Sequence, residues 1–81
     1  MVLSIRINGS LAKEIGTTRL RVSVTEPATV EDVVQTLITQ YPASAETLQI
    51  AIPFVAGRHL DKTTTLKQGQ QIALLMPAAG G

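Results

Sequence analysis

The chain has 81 residues, 44% hydrophobic and 16% charged, with seven Lys and Arg against six Asp and Glu and no cysteine. That length is one domain and too short for two, burying roughly 60% of its unfolded surface, so the core must be simple and well patterned. Without cysteine there are no disulfides, no thiolate nucleophile and no thiolate-ligated metal; a net charge of +1 without any basic run argues against a nucleic-acid partner. No apolar stretch nears the ~20 residues that span a bilayer, and no basic segment followed by an apolar run opens the chain. A soluble cytoplasmic domain with no membrane partner is the expectation.

Val2 to Ile7 alternates, with Leu3, Ile5 and Ile7 on one side and Ser4 and Arg6 on the other, which predicts a strand with one buried face. Asn8-Gly9-Ser10 is a turn signal. Ser10 is placed to cap a short helical turn through Leu11–Ile15, which Gly16 ends. Arg19 to Val24 alternates again, and its closeness to the first strand predicts an antiparallel hairpin. Arg6, Lys13, Arg19 and Arg21 all fall in this first part; they read as a solvated strand surface.

Thr29 opens the one clear helix. Its hydroxyl is placed to accept the Asp32 N–H, and Glu31 and Asp32 suit the positive end of the helix. Val30, Val33, Val34, Leu37, Ile38 and Tyr41 recur at the spacing of a single buried stripe, and Pro42 ends it. Residues 43–49 read as a loop. Ile50 to Ala56 favours strand, with Pro53 pointing to a sheet edge or a bulge because it lacks a ladder donor. A turn at Gly57-Arg58, a brief extended piece at His59-Leu60, a loop at 63–65, a turn over Leu66–Gly69 and a final strand from Gln71 to Met76 complete the order. The fold class is α+β: one main amphipathic helix packed on one face of a mixed four- to five-stranded sheet, the β-grasp (ubiquitin-like) arrangement. The domain is expected to occupy residues 1–76, with 77–81 as a flexible tail.

Two features of the last ten residues go beyond fold-keeping. The final strand is apolar on both sides, with Ile72, Leu74 and Met76 on one and Ala73 and Leu75 on the other. A sheet covered by helix on one face should be polar on the second. An exposed apolar strip marks a protein interface unless the 43–49 segment covers it. The sequence then closes Pro77-Ala78-Ala79-Gly80-Gly81. At an average glycine usage of ~7%, two terminal glycines arise by chance in only about 0.5% of chains. A Gly-Gly end has no Cβ, so it can enter a narrow channel and expose both faces of a terminal carbonyl. A carboxylate is a poor electrophile. Joined to a nucleotide phosphate as a mixed anhydride, it becomes open to attack by sulfur or another nucleophile.

No catalytic constellation accompanies that tail. The single histidine, His59, has no second His, Cys or paired carboxylate near it in sequence and reads as structural. Glu31 and Asp32 are neighbours on a helix and point apart. Gly80-Gly81 is followed by no helix, so it is no phosphate cradle.

The runs Ser10–Gly16, Thr29-Val30-Glu31-Asp32, Phe54-Val55-Ala56-Gly57-Arg58, Leu66–Ile72 and Met76–Gly81 together resemble the MoaD/ThiS family of ubiquitin-like sulfur carriers, nearest its MoaD side. Gly69-Gln70 stands where that family usually has Gly-Asp, and Met76-Pro77 where it has a doubled proline. The resemblance implies a non-catalytic carrier, the small subunit of molybdopterin synthase in molybdenum cofactor biosynthesis. An adenylating, ubiquitin-activating-type enzyme using ATP and magnesium would act on Gly81, a sulfur donor protein would convert the adenylate to a thiocarboxylate, and the synthase large subunit would receive the tail. No cofactor or metal is implied for the chain itself. Pro77, Ala78, Ala79 and Gly80 would thread the partner's channel, with Phe54, Ala73, Leu75 and Met76 at the partner interface. Three other readings remain open: a carrier for thiamin thiazole or for cysteine synthesis, a modifier joined to lysines through Gly81, and a binding module with an incidental tail.

Overall fold

The computed structural model describes residues 1–77. Its elements run β1 (Val2–Ile7), α1 (Gly9–Ile15), β2 (Arg19–Ser23), β3 (Ala28–Thr29), α2 (Val30–Gln40), a 3₁₀ turn Pro42–Ser44, α3 (Ala45–Ile50), β4 (Ile52–Val55), β5 (Arg58–His59), β6 (Thr65–Leu66) and β7 (Gln71–Leu75). Five strands form a mixed sheet in the order β2-β1-β7-β4-β5, and β3 and β6 form a small second sheet. β1 and β2 pair antiparallel as the hairpin expectation required. β1 and β7 run parallel, which makes the last strand the middle one.

Alternation does most of the work. Leu3, Ile5, Ile7, Leu20, Val22, Ile72 and Leu74 all point to one side, where they meet Leu11 of α1, Val30, Val33, Val34 and Leu37 of α2, and Leu48 of α3 in one buried cluster. Each such side chain contributes about 1.5–3 kcal/mol by leaving water. Ile38 and Tyr41 complete the helical stripe half-buried at its border. The start of α2 closes as its residues predict: the Thr29 hydroxyl accepts the Asp32 N–H at 3.2 Å, and the Asp32 carboxylate accepts the Thr29 N–H at 2.9 Å. Two of the helix's orphan donors are thereby satisfied.

Four local expectations change. α1 begins two residues earlier than read, with Asn8 as its cap position and no side-chain cap, so Ser10 does not cap it; Gly16 does end it, in the left-handed conformation at φ +92°. Residues 43–49 are not a loop. Pro42 starts a 3₁₀ turn and α3 follows, because Leu48 finds a fully buried place in the core. This segment lies on the helix side, tied to α1 by the Thr47 hydroxyl donating to the Glu14 carboxylate, and leaves the other sheet face uncovered. Strand β4 starts later than read, since Ile50 ends α3. Pro53 sits in the penultimate strand; its carbonyl accepts the Leu60 N–H at 2.9 Å, so its missing donor faces the short β5 arm and costs the central ladder nothing. Thr65 joins β6 opposite Thr29, a pairing too short to be visible as alternation.

Candidate functional site at the open sheet face and the end of the last strand

Strand β7 lies between β1 and β4, so its second face is the middle of the uncovered side of the sheet. Ala73 stands directly opposite Phe54, and Leu75 opposite Ile52. Opposed residues in a sheet share a face, and these four make one apolar strip, each half-buried. Phe54 is flanked in turn by its partner across the hairpin, His59, with ring centroids 5.7 Å apart and planes tilted by 51°. On the other side of β7 the face changes character. Arg6 is the neighbour of Ala73 and Ser4 of Gln71, and across β1 come Arg19 and Arg21 of β2.

The end of β7 is held by the residues that follow β1. Ile7 pairs with Leu74, and one step on the Asn8 side-chain oxygen Oδ1 accepts the Met76 N–H at 2.9 Å. A side chain thus adds a rung where the β1 backbone has already turned away into α1. Gly9 makes that approach possible. It adopts φ +57°, and a Cβ built on it would lie 3.2 Å from Cγ of Met76. Any other residue would push the Met76 side chain off its seat or strain the turn. Pro77 comes next, exposed and without an N–H to continue the ladder. Asn8 and Gly9 therefore determine the direction in which the chain leaves the sheet.

Of the residues expected at an interface, Phe54, Ala73 and Leu75 share the open face. Met76 does not; it packs against the core from the helix side, over Gly9. Ile52 joins the strip, and its place was legible as the alternation partner of Phe54. The roles of Asn8 and Gly9 were not read from the sequence: the pair was taken as a turn alone, and nothing local announces a hydrogen bond to a residue 68 positions away. Ala78, Ala79, Gly80 and Gly81, expected to thread a partner's channel and carry the reacting carboxylate, lie outside the described residues.

Among the described residues no three His, Cys, Asp or Glu side chains converge as they would around a metal ion, and no helix is long and apolar enough to cross a membrane. The Asp61 carboxyl is held below its ordinary value of 3.8, chiefly by the Thr63 N–H, then by the Thr63 hydroxyl, with a smaller contribution from His59; it lies on the exposed loop after β5. The arrangement is a half-buried apolar strip beside the point where the chain leaves the sheet at Met76-Pro77.

The profile of one protein family, ThiS, matches residues 5–81. The chain belongs to the ThiS family. No curated protein sequence matches this ThiS-family chain. Among solved structures it is similar to SAMP1 from Haloferax volcanii, at 22% identity over all of both chains and a TM-score of 0.88. It is similar also to small archaeal modifier protein 1 (SAMP1) from Methanosarcina acetivorans, at 23% identity over 99% of this chain and 96% of that one, TM-score 0.77. A chain in the complex of subunits 1 and 2 of molybdopterin-converting factor from Helicobacter pylori matches over 100% of both chains, at 21% identity and a TM-score of 0.68. At these identities the structural likeness shows the β-grasp fold and no more.

Proposed function

We propose that this ThiS-family chain is a sulfur carrier whose working group is the carboxylate of Gly81. The observation that carries this reading is that the family match runs through the whole domain and on to residue 81, taking in Pro77-Ala78-Ala79-Gly80-Gly81. The geometry supports it: the last strand is the central one, its exit is directed by Asn8, and an uncovered apolar strip lies beside that exit. In the cycle, a Gly81 carboxylate oxygen attacks the α-phosphate of ATP, and pyrophosphate leaves. Hydrosulfide released by a donor protein then attacks the acyl carbon, the acyl–phosphate bond breaks and AMP leaves, which gives a thiocarboxylate. ATP and magnesium belong to the adenylating enzyme, and this chain needs no cofactor. The recipient is the large subunit of molybdopterin synthase, with Leu75, Ala73 and Phe54 against it and residues 77–80 in its channel. The chain is then a non-catalytic subunit, and the fold shared with a chain of the two-subunit molybdopterin-converting factor complex supports that assignment.

A second reading keeps the adenylate and changes the acceptor to a lysine of a target protein. It draws support from the two small archaeal modifier proteins that share the fold. Intact mass of the protein from its native cells separates the two. A carrier shows a fraction heavier by the exchange of one oxygen for sulfur at Gly81; a modifier shows a ladder of conjugates on a blot. A natural chain that continues past residue 81 without trimming, or full activity after deletion of Gly81, rules out both.

A further inference from the structure

The arginines of the open face are not distributed as a merely solvated surface would be. Arg6 and Arg19 are direct cross-strand partners, a position in which like charges repel and destabilise the sheet. Arg21, opposite Ser4, lies on the same face two residues from Arg19. The three line a hollow of ≈ 220 Å³ together with Ser4, Gln71, Ile5 and Leu20. The six side-chain carboxylates, Glu14, Glu26, Glu31, Asp32, Glu46 and Asp61, all fall in helices or connecting segments, none in the five strands of the main sheet. The one ion pair among the described residues joins Lys62 to Glu31 and leaves these arginines out. Three of the seven Lys and Arg, Arg6, Arg19 and Arg21, thus stand together on the open face with no side-chain carboxylate on a neighbouring strand, while Lys13, Lys62 and Lys67 lie with the acids in helices and connecting segments.

We infer that the Arg6–Arg19–Arg21 face is an electrostatic docking surface for carboxylates on the adenylating enzyme, an assignment that rests on the carrier function proposed above. Arg6 adjoins Ala73, so the basic half is continuous with the apolar strip, and a protein seated on the strip to reach the chain end also covers the arginines. Its counterpart must be anionic, for three guanidinium groups brought against an uncharged or basic surface would lose hydration without replacement. An RNA backbone carries the same charge, yet among the described residues the rings on this face are Phe54 and the His59 packed against it, both at the far side of β7 from the arginines, and Tyr41 packs on the core, so there is no run of stacking platforms for bases among the arginines. The adenylating enzyme is the partner that meets an unmodified tail by diffusion, where opposed charge accelerates encounter.

The test is ATP–pyrophosphate exchange with the purified adenylating enzyme at several salt concentrations, comparing the wild-type chain with the triple variant R6Q/R19Q/R21Q. The expected result is a KM raised roughly tenfold at low ionic strength with kcat unchanged, the gap closing as salt screens the attraction. Circular dichroism and thermal melting establish that the variant is folded; should the triple variant fail to fold, R21Q alone is expected to raise KM about two- to threefold. Equal KM values, or a difference indifferent to salt, overturn the assignment. So does binding of a poly(U) probe that the substitutions abolish while KM stays the same. A wild-type chain that supports no exchange refutes the carrier reading itself, whereas exchange indifferent to the arginines refutes this docking surface alone.

Discussion

The two faces of the main sheet are made by the same strands, residue by residue, and follow different rules. On the helix side Leu3, Ile5, Ile72 and Leu74 are 0–1% exposed and locked among three helices. One position along each strand, Ser4, Arg6, Ala73 and Leu75 meet no covering element among the described residues and combine an apolar strip with opposed like charges, a pattern that contributes little to folding. Where sequence positions one apart differ this sharply in what they do for stability, the face that does little is free to serve another protein. Ubiquitin-like size makes the division stark, because a domain of 81 residues has no spare layer in which to bury a second apolar surface.

The division is broken or sharpened first at neighbouring leucines of β7. Leu74→Ala removes a fully buried side chain and is expected to cost about 2–5 kcal/mol, lowering the melting temperature by more than about 10 °C. Leu75→Ala, on the open face, is expected to cost about 1 kcal/mol or less and instead to weaken partner binding. Equal melting temperatures for the two variants would erase the distinction between the faces. Next comes Asn8→Ala, which removes the acceptor of the Met76 N–H; a loss of about 1 kcal/mol is expected, with faster hydrogen exchange at Met76 and little change at Ile5. Arg6→Thr is smaller and opposite in sign: relieving the Arg6–Arg19 repulsion should raise stability by about 0.2–1 kcal/mol in low-salt melting, even as docking suffers.

The smallest effect lies off both faces. With its folded value below 3.8, Asp61 contributes stability above that pH, and the contribution disappears as pH falls through the lowered value. Asp61→Asn should therefore flatten the acid side of the stability profile slightly, and an NMR titration of the Thr63 amide should report a midpoint below 3.8 in the wild-type chain.

Periodic segments were legible from sequence, and contacts between distant segments were not. The strands at 2–7 and 19–23, the α2 stripe and the Thr29 cap could be read because each leaves its mark within a few residues. α3 escaped because its six residues bury Leu48 and little else, too short for a stripe to repeat. The β3–β6 pairing joins two residues to two others far away, which no local pattern encodes. The apolar second face of β7 was visible as a departure from alternation, and alternation also put Met76 on the side of Ile72 and Leu74; what it did not show is that Gly9, lacking a side chain, makes room for Met76 there. The arginines read singly as solvated; only register brings Arg6 and Arg19 face to face.

The position of β7 also bears on how the protein comes into being. The strand that completes the sheet at its centre is the last to leave the ribosome, and β1 and β4 have no common partner until it arrives. An unfinished nascent chain therefore holds two half-sheets with unpaired edges, and closure awaits synthesis through Leu75. Quality control follows from topology: a translation product cut short before β7 lacks the strand that joins the two halves of the sheet.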